Sequence, residues 1–259
     1  MRIVLITQEE PFYLPPALDG LCRMRRGDIV GLVILPSFNE TLLRTARRLY
    51  QFYGPVDFAR LCGRYLAAKA CDRANRLRPL TRPFSARDVA RRHGIACYQP
   101  AKVNSPAFLE TLRHDLQPDL IVSIAASQIF GKGLLAVPRL GCINLHSAPL
   151  PKYQGMMPNF WTLVHGEPKA AVTVHHMAEK LDAGDIILQR DVEIRPEDSL
   201  HDLMVRSKQV GIAALSEAIG LVDAGQAPRC RMDLAQASYF SFPTRADARR
   251  LRAQGRRLL

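Results

Sequence analysis

Five short apolar runs, separated by polar stretches long enough for helices, constrain this chain more than any other feature. They are Arg2 to Thr7, Asp28 to Leu35 (closed by Pro36), Gly94 to Tyr98, Asp119 to Ala125 and Gly141 to His146. Near-continuous β-branched runs of this length read as strands buried on both faces, the pattern of a parallel sheet sandwiched by helices. Ser85 is placed to cap one intervening helix, with Asp88 at the capping-box position. Ser105 is placed to cap another that leads to Leu116. Strands alternating with helices predict an open α/β sheet.

The second half changes character. Ala171 to Met177 and Asp185 to Ile194 are strand-like, with Gly184 and acidic turn residues between them, and they read as antiparallel additions beside the parallel sheet. A helix is predicted from Ser199, with Leu200, Leu203, Met204, Ser207, Val210, Gly211 and Leu215 at helical spacing and Gly225 as its stop. Two stretches resist this plan. Asn39 to Leu80 is long and Arg-rich and reads as a helical insertion. Gln226 to Leu259 reads as a C-terminal extension. The expected organisation is therefore a catalytic domain over 1–225, interrupted by a basic helical insertion at about 39–80, and an extension over 226–259.

Composition matters here mainly through charge. The 259 residues carry a formal net charge of +12. Phe38 to His93 holds 13 Lys or Arg against 4 Asp or Glu, and the stretch from Thr244 holds 6 Arg against one Asp. These two segments account for the whole excess. Such segments favour anionic partners, or else present solvated arginine-rich helix faces. Within the insertion, Val56, Leu61, Cys62, Tyr65 and Leu66 are expected to pack on the core, leaving Arg60, Arg64, Arg73 and Arg76 free. Six cysteines form no CxxC pair, and the N-terminal apolar run is too short for a signal peptide or a membrane span. Cytoplasmic localisation with reduced thiols is the expectation.

Several chemistries lack their signature. No GxGxxG follows the first strand, and no GxxxxGK[ST], HExxH or GxSxG occurs. His175 and His176 are adjacent on a predicted strand and so point to opposite faces, which is unsuited to one metal ion. No metal is expected. Asn144 and His146, two apart on a predicted strand, face the same side at its carboxyl end, the edge where open α/β sheets bind ligands. Asp182 lies in the loop between two strand-like segments. An amide, an imidazole and a carboxylate together can serve acyl transfer: the amide donates to a developing oxyanion and the other two manage protons and charge. Spacing alone leaves the bland alternatives open, with Asn144 a turn residue, His146 a satisfied core histidine and Asp182 a cap.

The stretch NLHSAPLPKYQG resembles the N-x-H-x-S-x-L-P-x-Y-x-G signature of the folate-dependent formyltransferases. VTVHHMAEKLDAGDIILQ is similar to the second block of that family, V-T-x-H-x-x-x-x-x-x-D-x-G-x-I-x-x-Q, at the usual separation. The match covers about Pro118 to Gln189. The resemblance implies a formyltransferase fold, an open, mostly parallel Rossmann-like sheet. It implies 10-formyltetrahydrofolate as co-substrate and Asn144, His146 and Asp182 as the catalytic trio. It places the pteridine ring against Ile129, Phe130 and the loop Met177, Ala178, Glu179, Lys180, Leu181 and Asp182. His175, Lys152 and Tyr153 are carried over as substrate-side or supporting residues. Three departures stand out: Ala148 replaces the usual Ser, Gln154 stands where an Arg often precedes the glycine, and Met156 and Met157 precede Pro158 in place of small residues.

The expected activity is formyl transfer to the amine of a small substrate. A nucleotide-linked amino sugar comes first, because its diphosphate suits the basic segments. An amino acid derivative such as hydroxyornithine comes next. The 34 residues after Gly225 are too few for the barrel domain that methionyl-tRNA formyltransferases add, so nucleic acid is not an expected partner. No transmembrane segment is expected, and homodimerisation is left open. Two rivals come from other classes: a formyltetrahydrofolate hydrolase using the same trio, and a nucleic-acid or membrane-surface binding protein with an inactive fold.

Overall fold

A computed structural model describes residues 1–36, 41–78 and 80–259, with backbone only for Leu42. The elements run β1 (Ile3–Gln8), α1 (Leu14–Met24), β2 (Ile29–Leu35), α2 (Leu42–Leu77), α3 (Ala86–His93), β3 (Ala96–Tyr98), α4 (Pro106–Glu110), β4 (Leu120–Ile124) and α5 (Lys132–Leu135). They continue with β5 (Cys142–His146), β6 (Gln154–Gly155), α6 (Pro158–Val164), β7 (Lys169–His176), β8 (Ile186–Glu193), α7 (Leu200–Asp223), β9 (Tyr239–Phe240) and α8 (Arg245–Ala253). A seven-stranded sheet has the order β3-β2-β1-β4-β5-β7-β8. Its first five strands are parallel, and β7 and β8 add antiparallel, as the sequence predicts.

Strand periodicity divides the core in two. Ile3 and Leu5 of β1 enter one apolar cluster with α1, α3, α6 and α7, while Val4 and Ile6 enter a second with Phe108, Leu112 and Leu134. The same alternation on β5 sends Ile143 and Leu145 into the first cluster and Cys142 into the second. Asn144 and His146 therefore share the face of Cys142, at the carboxyl end of the strand. Ser85 caps α3 by accepting the Asp88 N–H, and Ser199 forms a full capping box with Asp202 at the start of α7. Ser105 precedes its helix without a side-chain cap, and that helix passes into a π-helical turn over Thr111–Leu116. Gly225 and Gln226 close α7 by donating to Val222 and Leu221.

The insertion is helical, but its packing differs from expectation. Its expected start at Asn39, and Pro79 near its end, lie outside the described residues. The helix α2 is broken at Gly54, ahead of Pro55. Val56, Tyr65 and Leu66 are exposed, as is Cys62, whereas Phe52, Tyr53, Ala68, Asp72 and Asn75 are buried. Of the five residues expected to pack, only Leu61 is partly buried against the core; after Gly54 the inward face runs Leu61, Ala68, Asp72 and Asn75, the last two bonded to Ser85 and Asp88, so apolarity alone points to the wrong face. Nor are the arginines all free. Arg60 pairs with Asp57 and Arg76 with Asp72. Arg64 donates to His201 on α7 and lies over the ring of Phe12.

The segment after Gly225 returns to the main body. Cys230 bridges Ile186 on β8. The strand β9 pairs with β6, and α8 packs on α2 and α6. Leu200 donates to the Arg257 carbonyl at 2.9 Å, so the last residues cover the start of α7. No described helix is long and apolar enough to cross a membrane. Leu251 of α8 is fully buried. Replacing it with Ala is expected to lower unfolding free energy by about 2–5 kcal/mol, read by denaturant titration as one shifted transition. An unshifted main transition would show α8 to be an independent appendage.

Candidate functional site

The antiparallel pairing of β5 with β7 sets Asn144 opposite His175 and His146 opposite Thr173. All four side chains lie on one face, at the edge where the parallel part of the sheet ends. The fully buried Thr173 hydroxyl donates to the Ala148 carbonyl at 2.6 Å and accepts from Gln189 at 2.8 Å and from the Leu150 N–H at 3.3 Å. These bonds hold the proline-rich loop that leaves His146. Gln189 thereby has a structural task that its place in the sequence does not reveal.

Hydrogen bonds to carbonyls define the imidazole tautomers. A carbonyl only accepts, so the 2.8 Å contact from His146 Nε2 to the Tyr153 oxygen puts a proton on Nε2. His146 Nδ1 then faces Asp182 Oδ2 at 3.7 Å. His175 donates from Nδ1 to the His176 carbonyl at 2.9 Å, leaving Nε2 to accept from the Asn144 amide at 3.2 Å. Burial lowers the His175 pKa, which favours this neutral form. His175 Nε2 lies 3.8 Å from Asp182 Oδ1. The carboxylate thus sits between two imidazoles, one oxygen toward each, and one Asn144 N–H is not engaged by His175.

Asp182 is a buried carboxylate with φ of 49°, a left-handed conformation uncommon for a residue with a side chain. Neighbouring groups fix it there. The Gly155 N–H donates to its Oδ2 at 3.1 Å, and the Gln154 amide donates to its carbonyl at 2.9 Å. A Cβ at Gly155 would overlap the Phe240 carbonyl oxygen, and one at Gly184 would overlap the His176 carbonyl oxygen. Both glycines permit a backbone approach that the Asp182 loop needs. Gln154 and Gly155 are held in turn by β9, with which β6 forms a two-stranded sheet separate from the main one. Sequence reasoning marked Gln154 only as a departure. Its role depends on a strand pairing that no local pattern announces.

The other expected residues divide clearly. Ile129 is 63% exposed and Leu181 43%, so each offers apolar surface. Asn104 bonds both the Ile129 carbonyl and the Gly131 N–H at 2.8 Å, which rigidifies that loop. Lys132 pairs with Glu179 at 3.5 Å and ties it to the 177–182 loop. Ala178, Glu179 and Lys180 are exposed along that loop, and Met177 is half-buried against the second core cluster. Phe130 is 2% exposed and packs in the same cluster, so, contrary to expectation, it offers no surface of its own to a ligand. Tyr153 turns its ring away, with its hydroxyl donating to Glu167 at 2.6 Å, and contributes its carbonyl to His146. Lys152 is exposed. A separate cavity of about 560 Å³ lies at the carboxyl ends of β1, β2 and β3, lined by Glu9, Lys69, Arg76, Arg87 and Gln99 among others, and it does not include the groups around Asp182. Among the described residues no cluster of three or more His, Cys, Asp or Glu is arranged to hold a metal ion.

The buried neutral His175 has a consequence for stability. Its folded pKa is below the unfolded value of about 6.5, so the unfolded chain binds more protons as pH falls through that value, and stability is lost on acidification. Glu9 and Glu10, whose pKa values burial raises, act in the opposite sense in both proteins compared. The melting temperature of His175→Gln is therefore expected to fall less steeply than that of wild type between about pH 7 and pH 5. Equal slopes would mean that His175 is not held neutral.

Known proteins share this architecture. The sequence model described as Formyl transferase matches residues 41–219, more than half of the chain. The methionyl-tRNA formyltransferase of Syntrophus aciditrophicus is 43% identical over 151 residues, 58% of this chain and 48% of that protein. That of Geotalea uraniireducens is 40% identical over 159 residues, 61% of this chain and 50% of that protein. The chain spans about half the length of these curated relatives. Among solved structures, phosphoribosylglycinamide formyltransferase from Anaplasma phagocytophilum superimposes with a TM-score of 0.61 at 14% identity, covering 94% of this chain and 99% of that one. WlaRD, a sugar 3N-formyl transferase solved with dTDP and 5-N-formyl-THF, gives 0.59 at 16% identity, covering 93% and 69%. At these identities the two structures speak to the fold, and the sheet order and antiparallel edge are those of a formyltransferase fold. The chain belongs to the formyl transferase family.

Proposed function

We propose that the chain transfers the formyl group of 10-formyltetrahydrofolate to the amine of a small substrate. Asn144, His146 and Asp182 act on the reacting atoms, and His175 positions Asn144 and Asp182. The observation that carries this reading is the convergence of one amide, two imidazoles and one carboxylate at the end of β5 and β7, with the carboxylate held between the rings. The pteridine lies against Ile129, Leu181 and the main chain of the Met177 to Asp182 loop. Those two exposed apolar side chains and the open loop backbone suit a flat, hydrogen-bonding ring.

The reaction balances without an external redox partner. The lone pair of the neutral amine attacks the formyl carbon, and the carbonyl oxygen takes up negative charge. The free Asn144 N–H and the charge of a protonated His146 stabilise that oxygen. Asp182 accepts a proton from the attacking nitrogen. The bond from carbon to folate N10 then breaks, and the proton passes to N10, giving the formamide and tetrahydrofolate.

A nucleotide-linked amino sugar is the first acceptor to test, and an amino acid derivative such as hydroxyornithine the second. Similarity to the methionyl-tRNA formyltransferases favours a second reading, in which the amine belongs to an aminoacylated tRNA. A mass-spectrometric formylation screen with 10-formyltetrahydrofolate decides among them, using amino-sugar nucleotides, amino acids and charged initiator tRNA. Formylation of tRNA alone would replace the small-molecule reading. Release of tetrahydrofolate without any acceptor would identify a hydrolase.

His146→Ala and Asp182→Ala are each expected to lower the transfer rate by at least about 10²–10³, with circular dichroism unchanged. Either variant retaining more than about a tenth of wild-type kcat/KM would refute the assigned chemistry.

A further inference from the structure

The cavity of about 560 Å³ at the carboxyl ends of β1, β2 and β3 has no task in the chemistry above. The insertion helps to close it. Lys69 and Arg76 of α2 and Arg87 of α3 line it, with Pro36, Gln99 and Pro100 from the strand ends. Open parallel sheets bind ligands at this edge. The volume lies within the range of about 300–1,000 Å³ that small-molecule sites occupy. In the sheet, β2 stands three strand positions from β5, roughly 14 Å, so the cavity lies to one side of Asn144 and His146.

Its three cations keep donors in reserve. Lys69 is half-buried, and among the described residues its ammonium touches only the ring of Tyr65, at 5.4 Å from the centroid. Arg76 lies 3.6 Å from Asp72, too far for a hydrogen bond, and Asp72 already accepts the Ser85 hydroxyl. Arg87 gives one N–H to the Gln99 oxygen at 2.7 Å and has others left. Glu9, the second carboxylate on the wall, accepts the Ala86 N–H at 3.2 Å. Burial raises its pKa although Lys69 and Arg87 pull it down, so the wall is poorly solvated and charges act strongly there. A cleft with more cations than carboxylates focuses positive potential into its interior.

We propose that this cavity is a second ligand site, one that binds a nucleoside diphosphate with its phosphates on Lys69, Arg76 and Arg87 and its base against Pro36 and Pro100. Several cations answer a diphosphate better than a single carboxylate, and arginine forks match phosphate oxygens. The volume is far more than an inorganic anion fills, and the two proline rings offer a flat apolar surface. Gln99 spends its oxygen on Arg87, which leaves its NH2 group for a ring or sugar oxygen. No glycine-rich turn follows β1, where the chain runs Gln8-Glu9-Glu10-Pro11, so side chains hold the phosphates in place of backbone N–H groups. The site shares no residue with the cluster around Asp182 and does not rest on the formyl-transfer reading. It gives the insertion a task, since α2 supplies two of the three cations.

The test reads binding without turnover. The full chain is titrated calorimetrically with ADP, GDP, UDP and dTDP at one ionic strength, and with inorganic phosphate and adenosine as partial ligands. At least one nucleotide is expected to bind more tightly than either partial ligand. Lys69→Met and Arg87→Gln should each raise its Kd by about tenfold or more, the loss expected for one charge-assisted hydrogen bond. Lys69→Arg should recover part of the affinity, which a folding defect at this position would not allow. Arg73→Gln, on the same helix but outside the cavity lining, should leave Kd unchanged. Equal weakening by Arg73→Gln would reduce the effect to the general field of a basic helix and overturn the site. Inorganic phosphate binding as tightly as every nucleotide, or no nucleotide binding at all, would overturn it too. So would displacement of the nucleotide by 5-formyltetrahydrofolate, which would assign the cavity to the folate's glutamate tail.

Discussion

The antiparallel register of β5 against β7 places His175 across from Asn144 and Thr173 across from His146, and the rest of the site is arranged around that pairing. A slip of one residue would turn these side chains onto the opposite face of the sheet, into the apolar cluster that holds Ile143 and Leu145. The register is enforced by burial, because Val172 and Val174 of β7 and Ile143 and Leu145 of β5 all belong to that cluster. Polar chemistry on one face is therefore specified by hydrophobic packing on the other. The antiparallel reversal also matters. It brings the β7 side chains to the carboxyl end of β5, so a single strand pair supplies both imidazoles and the amide.

Asp182 needs a second layer of support. Its left-handed backbone and its buried carboxylate are both unfavourable in isolation. The β6 main chain and the Gln154 amide compensate, and β6 is itself only two residues long. So short a strand is ordered by its partner, β9, from the segment after α7. Aromatic packing locks that contact: Phe240 stacks between Tyr153 and Trp161, at centroid distances of 5.6 and 4.7 Å. The ring of Tyr153 thus anchors β9 while its carbonyl orients His146. Part of the chain that the sequence assigns to an extension is joined to the candidate catalytic carboxylate through β6.

What could be read from the sequence follows from the range of the forces involved. The strands of the sheet, the cap of α3 and the start of α7 at Ser199 are set by periodicity and local hydrogen bonding, and they are legible in the sequence. Asn144 and His146 were legible as a same-face pair because strand geometry alone decides that. Pairing Asp182 with them came from a resemblance, since no local rule brings a loop residue 36 positions on to the end of β5. The roles of Gln154 and Thr173 were hidden for the same reason. The packing of α2 was misread for a different one. After Gly54 its inward face includes the polar Asp72 and Asn75, held by Ser85 and Asp88, so the apolar residues mark the wrong face and Val56, Tyr65 and Leu66 are exposed.

That misreading also relocates the electrostatics. The sequence put the functional charge on exposed arginines of the insertion, yet Arg60, Arg64 and Arg76 are engaged with Asp57, His201 and Asp72. Exposed charges of this kind interact through water-like dielectric and are screened beyond about 10 Å at 0.1 M salt. They contribute to the general field of a +12 chain and little to the choice between two acceptors. An ammonium removed from water acts differently. At an effective dielectric of about 20, the attraction between unit charges at a given separation is roughly four times that in bulk water. Lys208 on α7, half-buried beside Ser147, is such a cation, and desolvation lowers its pKa.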